Sequence, residues 1–278
     1  MSKKLLFGTA GIPHSTGARD SESGIERAKE LGLGAMELEF VRGVHMKADA
    51  AREVGKAGEN EGISLSVHAP YFVNLNSPER EKVKASKERI LASARVGHIC
   101  GAKIAVFHPA FYQGMNPGDV YERVKKELEE MADKLRKEKN NVLLGLETTG
   151  KHSAFGNLDE TMSLSKEING VAPCIDFAHL YARSNGTMRS GEDFYEVLEK
   201  IEEYGKNFLK DLHMHVSGMN YTAKGERNHL NMEDSGNKFD YKNLLKALNT
   251  FDVKGTIICE SPNLERDALL MKKYWDKL

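Results

Sequence analysis

The chain has 278 residues, with 40 Lys and Arg against 41 Asp and Glu, 29% charged and 40% apolar residues, a balance that excludes a globally basic nucleic-acid binder and leaves any such surface local. The three cysteines, Cys100, Cys174 and Cys259, are odd in number and widely spaced, which excludes a disulfide framework. No run approaches the ~18 apolar residues of a membrane span and the segment Met1–Gly8 lacks a secretory pattern, so a cytoplasmic protein with no membrane partner is expected.

Short apolar runs alternate with longer amphipathic ones. Leu5–Ala10 precedes a helix-like stretch from Ser21 to Leu33, and Ala35–Phe40 precedes Met46–Asn60. Ile63–His68 leads through a loop to Pro78–Cys100, and Lys103–His108 leads to Pro117–Lys137. Val142–Glu147 precedes Leu158–Ile168, and Val171–Asp176 precedes Gly191–Tyr204. Leu209–Val216 is followed by the longest irregular stretch, Ser217–Lys238, and then by Tyr241–Thr250. Thr256–Glu260 and Leu264–Trp275 close the series. Val120, Val124, Leu128, Met131 and Leu135 recur at steps of three and four, which places one apolar stripe on a helix, and Phe194, Val197, Leu198 and Ile201 do the same. Asp119 and Asp159 stand at helix starts, where carboxylates meet unpaired N–H groups. The strands are short apolar runs, as expected of parallel strands covered on both faces. About eight strand–helix pairs in this length predict one (β/α)8 barrel over residues 1–278. The missing G-x-G-x-x-G after the first strand argues against a dinucleotide fold.

From the third run onward the strands end alike. They finish at His68, His108, Glu147, Asp176 (with His179 three residues on), His215 and Glu260. A single strand-end His is more often a hydrogen-bonded rim residue than a ligand, and a single carboxylate more often a helix cap. Six in succession converge on one rim of a barrel, where they would repel or be desolvated without cations. Imidazole and carboxylate ligands without Cys suit Zn²⁺, Mn²⁺ or Fe²⁺, and the number of candidates implies two or three ions. His213 points to the same side of its strand as His215, which is preferred as the ligand because it lies nearer the strand end. His14, His45, His98 and His152 lack this placement.

These residues sit in segments that resemble the endonuclease IV family of apurinic/apyrimidinic endonucleases, within the xylose-isomerase-like barrel superfamily. The segments are Val67-His68-Ala69-Pro70-Tyr71-Phe72-Val73-Asn74-Leu75, Phe107-His108-Pro109, Cys174-Ile175-Asp176-Phe177-Ala178-His179 and Ile258-Cys259-Glu260-Ser261-Pro262. The resemblance implies three Zn²⁺ ions: one on His68, His108 and Glu147, a second on Glu147, Asp176, His215 and Glu260, and a third on His179 with ligands from the long loop. The family's Asp-x-His in that loop is replaced here by Glu226 and His229, three residues apart. The implied activity is hydrolysis of the phosphodiester 5′ to an abasic deoxyribose in damaged double-stranded DNA, with Glu147 and Glu260 as catalytic carboxylates orienting the attacking water. Rim contacts to DNA are expected from Arg42, Tyr71, Asn74, Lys151, Arg183, Lys224 and Arg227, with no obligate protein partner. A single-metal sugar isomerase or epimerase of the same superfamily would need only Glu147, Asp176, His215 and Glu260.

Overall fold

A computed structural model describes residues 4–278; Met1–Lys3, which the sequence reading counts in the barrel domain, lie outside the described residues. Eight strands form the closed barrel: β1 (Leu5–Ala10), β2 (Ala35–Glu39), β3 (Ser64–His68), β4 (Ile104–Phe107), β5 (Leu143–Glu147), β6 (Val171–Asp176), β7 (Leu212–Val216) and β8 (Gly255–Cys259). Each pairs in parallel with its sequence neighbours, and β8 closes on β1 from Leu5↔Gly255 to Thr9↔Cys259. The expected (β/α)8 architecture is therefore the observed one.

The helices lie outside the barrel: α1 (Ser21–Glu30), α2 (Ala48–Glu61), α3 (Arg80–Ile99), α4 (Pro117–Lys137), α5 (Leu158–Glu167), α6 (Phe177–Arg183), α7 (Gly191–Tyr204), α8 (Tyr241–Thr250) and α9 (Glu265–Trp275). Their ends follow from local chemistry. Asn116 caps α4 ahead of Pro117, whose fixed φ suits a first turn. Asn157 and Glu160 form a reciprocal capping box on α5, as Ser190 and Asp193 do on α7. The predicted stripe of α4 is buried in full, from Val120 to Leu135. Burying each such side chain contributes about 1.5–3 kcal/mol.

Three features depart from the sequence reading. Leu209 belongs to a 3-10 turn, Phe208–Lys210, so the seventh strand begins only at Leu212. Phe177–Arg183 is a helix, started by Asp176, whose Oδ1 accepts the His179 N–H at 2.8 Å. Within Ser217–Lys238, the expected irregular stretch, Gly218–Thr222 and Gly225–Leu230 pair as an antiparallel hairpin. Its strands carry mostly polar residues, so apolar patterning gave no signal. Their pairing partner is local, and the hairpin leans on the loop after β5 through a Lys151–Gly225 bridge.

Candidate metal centre

The strand ends meet around one carboxylate. Glu147, fully buried at the end of β5, has its Oε2 2.8 Å from His108 Nε2 and 3.1 Å from His68 Nε2. Its Oε1 lies 3.2 Å from His179 Nδ1 and 3.4 Å from His215 Nδ1. Glu260, just past β8, places Oε1 3.3 Å from the same His215 Nδ1. Asp176 Oδ2 lies 3.0 Å from His179 Nδ1. Backbone carbonyls set two of the rings. His68 Nδ1 is 2.8 Å from Ala69 O and His179 Nδ1 is 3.0 Å from Thr148 O. A proton at each Nδ1 leaves Nε2 as the lone-pair atom.

The hairpin supplies the outermost part. His179 Nε2 faces Glu226 Oε2 at 3.5 Å, and the rings of His179 and His229 are 5.7 Å apart. In a regular strand, residues three apart point to opposite faces. Here Glu226 pairs with Tyr221 while Asn228 pairs with Asn220, so Arg227 is a bulge residue opposite no partner. The bulge turns Glu226 and His229 to the same face and offsets the extra residue between them. Two glycines permit the approach. A Cβ on Gly150 would lie 2.6 Å from Glu226 Cβ, and one on Gly225, at φ +92°, 2.1 Å from Gly150 O.

Ligand-capable atoms thus cluster as His68, Glu147, His215 and Glu260; as His108, Glu147 and His179; and as His179, Glu226 and His229. The partition differs from the one the resemblance implies: His68 and His108 share Glu147 Oε2 but fall into different groups, and Asp176 is turned toward His179. A deeper group, Cys174, His213 and His215, lies beneath.

Burial opposes ionisation of Glu147, yet the His108 and His215 imidazoles hold its carboxyl well below the usual range. Burial is likewise outweighed at Glu260, which His215 brings down to about 2. At Asp176 burial prevails over His179 and pushes the carboxyl up to about 6. Burial disfavours charge on His68, but its Glu147 contact and Glu39 raise it to about 10. Left to themselves, the carboxylates are balanced by protons held on histidines. Glu147 Oε1, Asp176 Oδ2, His179 Nε2 and His215 Nδ1 are buried without a well-aligned hydrogen-bond partner. Unpartnered buried atoms of this kind are expensive. Nitrogen and oxygen lone pairs converging at such spacings fit zinc-class cations.

Two residues escaped the sequence reading. Glu37 and Glu39 lie inside the run Ala35–Phe40, read there only as an apolar strand. Glu37 is fully buried and contacts His213 and His215, each at 3.0 Å. Burial pushes the Glu39 carboxyl up to about 8, against the pull of His68. The detectable signal was the spacing Glu-x-Glu at the end of a strand.

The expected DNA-contacting residues divide. Tyr71 and its neighbour Phe72 are 60% and 69% exposed on the loop after β3, beside Phe111. Arg42, Lys151, Lys224 and Arg227 are exposed. Asn74 is turned into its own loop, where Oδ1 accepts the N–H of Asn76 at 3.1 Å. Arg183 donates to the carbonyls of Lys151 at 2.8 Å and Ala154 at 3.0 Å and to Thr149 Oγ1 at 3.1 Å, so it ties the loop after β5 to α6.

Residues 25–275 match the family described as the xylose isomerase-like TIM barrel. A Methanocaldococcus jannaschii protein without an assigned activity is 46% identical over 275 residues, 99% of this chain and 98% of that one. A probable endonuclease 4 of Aquifex aeolicus is 28% identical over 188 residues, 66% of this chain and 65% of that one. The match to apurinic-apyrimidinic endonuclease 1 of Plasmodium falciparum, at 24% identity, covers 74% of this chain but 34% of that protein. Among solved structures, endonuclease IV of Thermus thermophilus superposes with a TM-score of 0.71 at 18% identity, covering 99% of this chain and 100% of that one. A D-tagatose 3-epimerase-like protein superposes with 0.73 at 19%, covering 98% and 96%. At these identities the superpositions speak for the fold alone.

Proposed function

Since this chain belongs to the xylose isomerase-like TIM barrel family, its chemistry is sought at the C-terminal rim, and we propose that it is a multinuclear phosphodiesterase of the endonuclease IV type, cutting double-stranded DNA 5′ to abasic sites. The observation that carries this reading is the extension of one ligand set into three. A single-ion sugar isomerase needs Glu147, Asp176, His215 and Glu260. It has no use for His68 and His108 on the other oxygen of Glu147, nor for a bulged hairpin that turns Glu226 and His229 toward His179. The endonuclease IV relatives, at low identity, support the same choice.

Bound at these residues, zinc-class cations supply Lewis acidity toward a phosphoryl oxygen and lower the pKa of water. The protein does the rest. Glu147, with one oxygen toward each histidine pair, holds the groups at fixed separation. The Glu260 side chain keeps 14% exposure where Glu147 keeps none, so Glu260 is the carboxylate that orients an attacking water arriving from solvent. Thr148 Oγ1 accepts the Asp176 N–H at 2.9 Å and fixes the start of α6, from which His179 projects. Tyr71 and Phe72 offer stacking faces to the duplex. Arg42, Lys151, Lys224 and Arg227, all exposed, are the proposed phosphate contacts, and an abasic nucleotide, lacking a paired base, is extruded at low cost.

The test is elemental analysis beside a nicking assay on a duplex with one abasic site. Two or three zinc-class ions per chain and incision 5′ to the lesion are expected. One ion per chain, no incision and epimerisation of a free ketose would replace this reading with the sugar isomerase.

A further inference from the structure

Beneath the rim lies a second polar layer. Glu37, Ser66, Cys174 and His213 each sit two residues before a rim residue on the same strand (Glu39, His68, Asp176 and His215), and all four are buried. Side chains two apart on a strand share a face and are separated by about 6.6 Å, so this layer points into the barrel directly under the proposed metal centre. Glu37 organises it. Its Oε2 accepts from Ser66 Oγ at 2.6 Å and lies 3.0 Å from His213 Nε2. Its Oε1 lies 3.0 Å from His215 Nε2, a close charge contact that is not an aligned hydrogen bond, and neither of those two atoms has a hydrogen-bond partner elsewhere.

We propose that Glu37 is a positioning residue for the metal centre: its carboxylate holds the proton of His215 on Nε2, and so presents the Nδ1 lone pair to the ions gathered at Glu147 and Glu260. The inference rests on the metal-centre reading above. An ionised carboxylate only accepts. Next to Glu37 Oε1, His215 Nε2 must therefore be the donor, and a neutral imidazole with its proton there has its lone pair on Nδ1. That atom faces Glu147 Oε1 at 3.4 Å and Glu260 Oε1 at 3.3 Å. His68 and His179 have their tautomers set by the carbonyls of Ala69 and Thr148. The ring of His215 is turned the other way and takes a carboxylate instead. Ser66 and His213, both donors to Oε2, keep Glu37 from rotating away. In this arrangement His213 acts as a buttress of the layer below the ions. Metal-bound imidazoles commonly donate their other N–H to such a partner, and losing it lowers metal affinity roughly 10–100-fold.

Two measurements test the assignment. In zinc-loaded wild-type protein with ¹⁵N-labelled histidine, long-range ¹H–¹⁵N spectra should show His215 protonated at Nε2 with Nδ1 as the metal-bound nitrogen. Zn²⁺ competition against a chelator should show one ion of the Glu37→Gln variant weakened about 10–100-fold, with total folded protein unchanged by circular dichroism. A metal-bound Nε2 in the spectra, or zinc affinity in Glu37→Gln equal to wild type, would overturn the proposal while leaving the metal centre intact. So would a thiolate charge-transfer band in the Co²⁺-substituted protein, because it would place an ion in the lower group with Cys174 and His213. Absence of any bound ion in the wild type would overturn both readings. The wild-type spectra decide the matter even if the variant does not fold.

Discussion

The hairpin bulge gives the sharpest structural test, because two deletions one residue apart should behave in opposite ways. Arg227 opposes nothing: Tyr221 pairs with Glu226, Asn220 with Asn228 and Met219 with His229. Removing Arg227 leaves those three pairs in register and Glu226 and His229 on one face, now at the spacing of two that a flat strand needs. Removing Arg227 and Asn228 together makes Glu226 and His229 adjacent, and adjacent strand residues face opposite ways. The displaced imidazole is then on the wrong side of a strand whose residues rise only about 3.4 Å each, and no rotamer returns it. Loss of a direct ligand should weaken the hairpin ion beyond the roughly 10–100-fold that losing a ligand's hydrogen-bond partner costs. The assay is ions per chain by mass spectrometry after dialysis against a trace chelator. The single deletion should keep the wild-type count and the double deletion should lose one ion, as Glu226→Ala should. Loss of an ion in the single deletion, or its retention in the double, would refute the same-face argument. Metal content is the readout because Arg227 is also a candidate phosphate contact, and its removal should weaken DNA binding independently.

Glu260→Gln should lower incision at abasic sites by more than a thousandfold, a loss of over about 4 kcal/mol in transition-state stabilisation, while thermal melting of the protein stays cooperative. Tyr71→Ala and Phe72→Ala remove exposed rings, so melting should be unchanged, while affinity for abasic duplex in gel-shift titrations should fall roughly 5–150-fold for each, as expected for one lost stacking platform at about 1–3 kcal/mol. In the metal-free protein Asp176 is raised from 3.8 to about 6, Glu39 from 4.5 to about 8 and His68 from 6.5 to about 10. Each binds its proton more tightly when folded, so its contribution is whole below the unfolded value and lost as pH rises through the folded one; calorimetry should show the metal-free melting temperature falling from mildly acidic pH toward about pH 10, with rescue by Zn²⁺ growing over the same range. Arg183→Ala should lower the melting temperature, since Thr149 Oγ1 and the carbonyls of Lys151 and Ala154 lose their donor, and should leave the salt slope of DNA binding at the wild-type value, where loss of a phosphate contact would reduce it by about 0.9.

What the sequence disclosed and what it concealed have physical causes. The barrel was legible because parallel strands buried on both faces read as short, mostly apolar runs and the helices carry clean stripes and caps, as in α4 and α5. The rim was legible because a polar residue ending an apolar run is conspicuous at His68, His108, Glu147, Asp176, His215 and Glu260. Glu37 was hidden by the opposite circumstance. It lies two residues inside β2, where a buried carboxylate is tolerable only because Ser66 and His213 arrive from strands β3 and β7, contacts that no local pattern announces. The hairpin was hidden because Gly218–Thr222 and Gly225–Leu230 pair with each other on the rim and bury little, so period-two hydrophobicity is absent. Arg183 has a structural task that no local pattern announces: only the folded loop shows its Nη1 donating to Thr149, Lys151 and Ala154.

On the proposed reading, Glu147 divides the candidate ligands between its two oxygens. A carboxylate has two oxygens. With one of them, Glu147 faces His179 and His215, which contact Asp176 and Glu260 in turn; on the rival reading a single-ion isomerase would need only Glu147, Asp176, His215 and Glu260. With the other it faces His68 and His108, which come from β3 and β4 and would be idle in such an enzyme. Adding them requires no change to the barrel, since strand ends already converge there; it requires only that two residues at those ends be imidazoles. The hairpin then extends the set once more, from His179 outward, and does so on a peripheral element whose register can absorb an inserted residue by bulging. Ligands on the strands are held by the barrel's own hydrogen bonding and ligands on the hairpin by two glycine contacts and one bridge. On the proposed reading, the outer ion should therefore be the weakest held and the first removed by chelation.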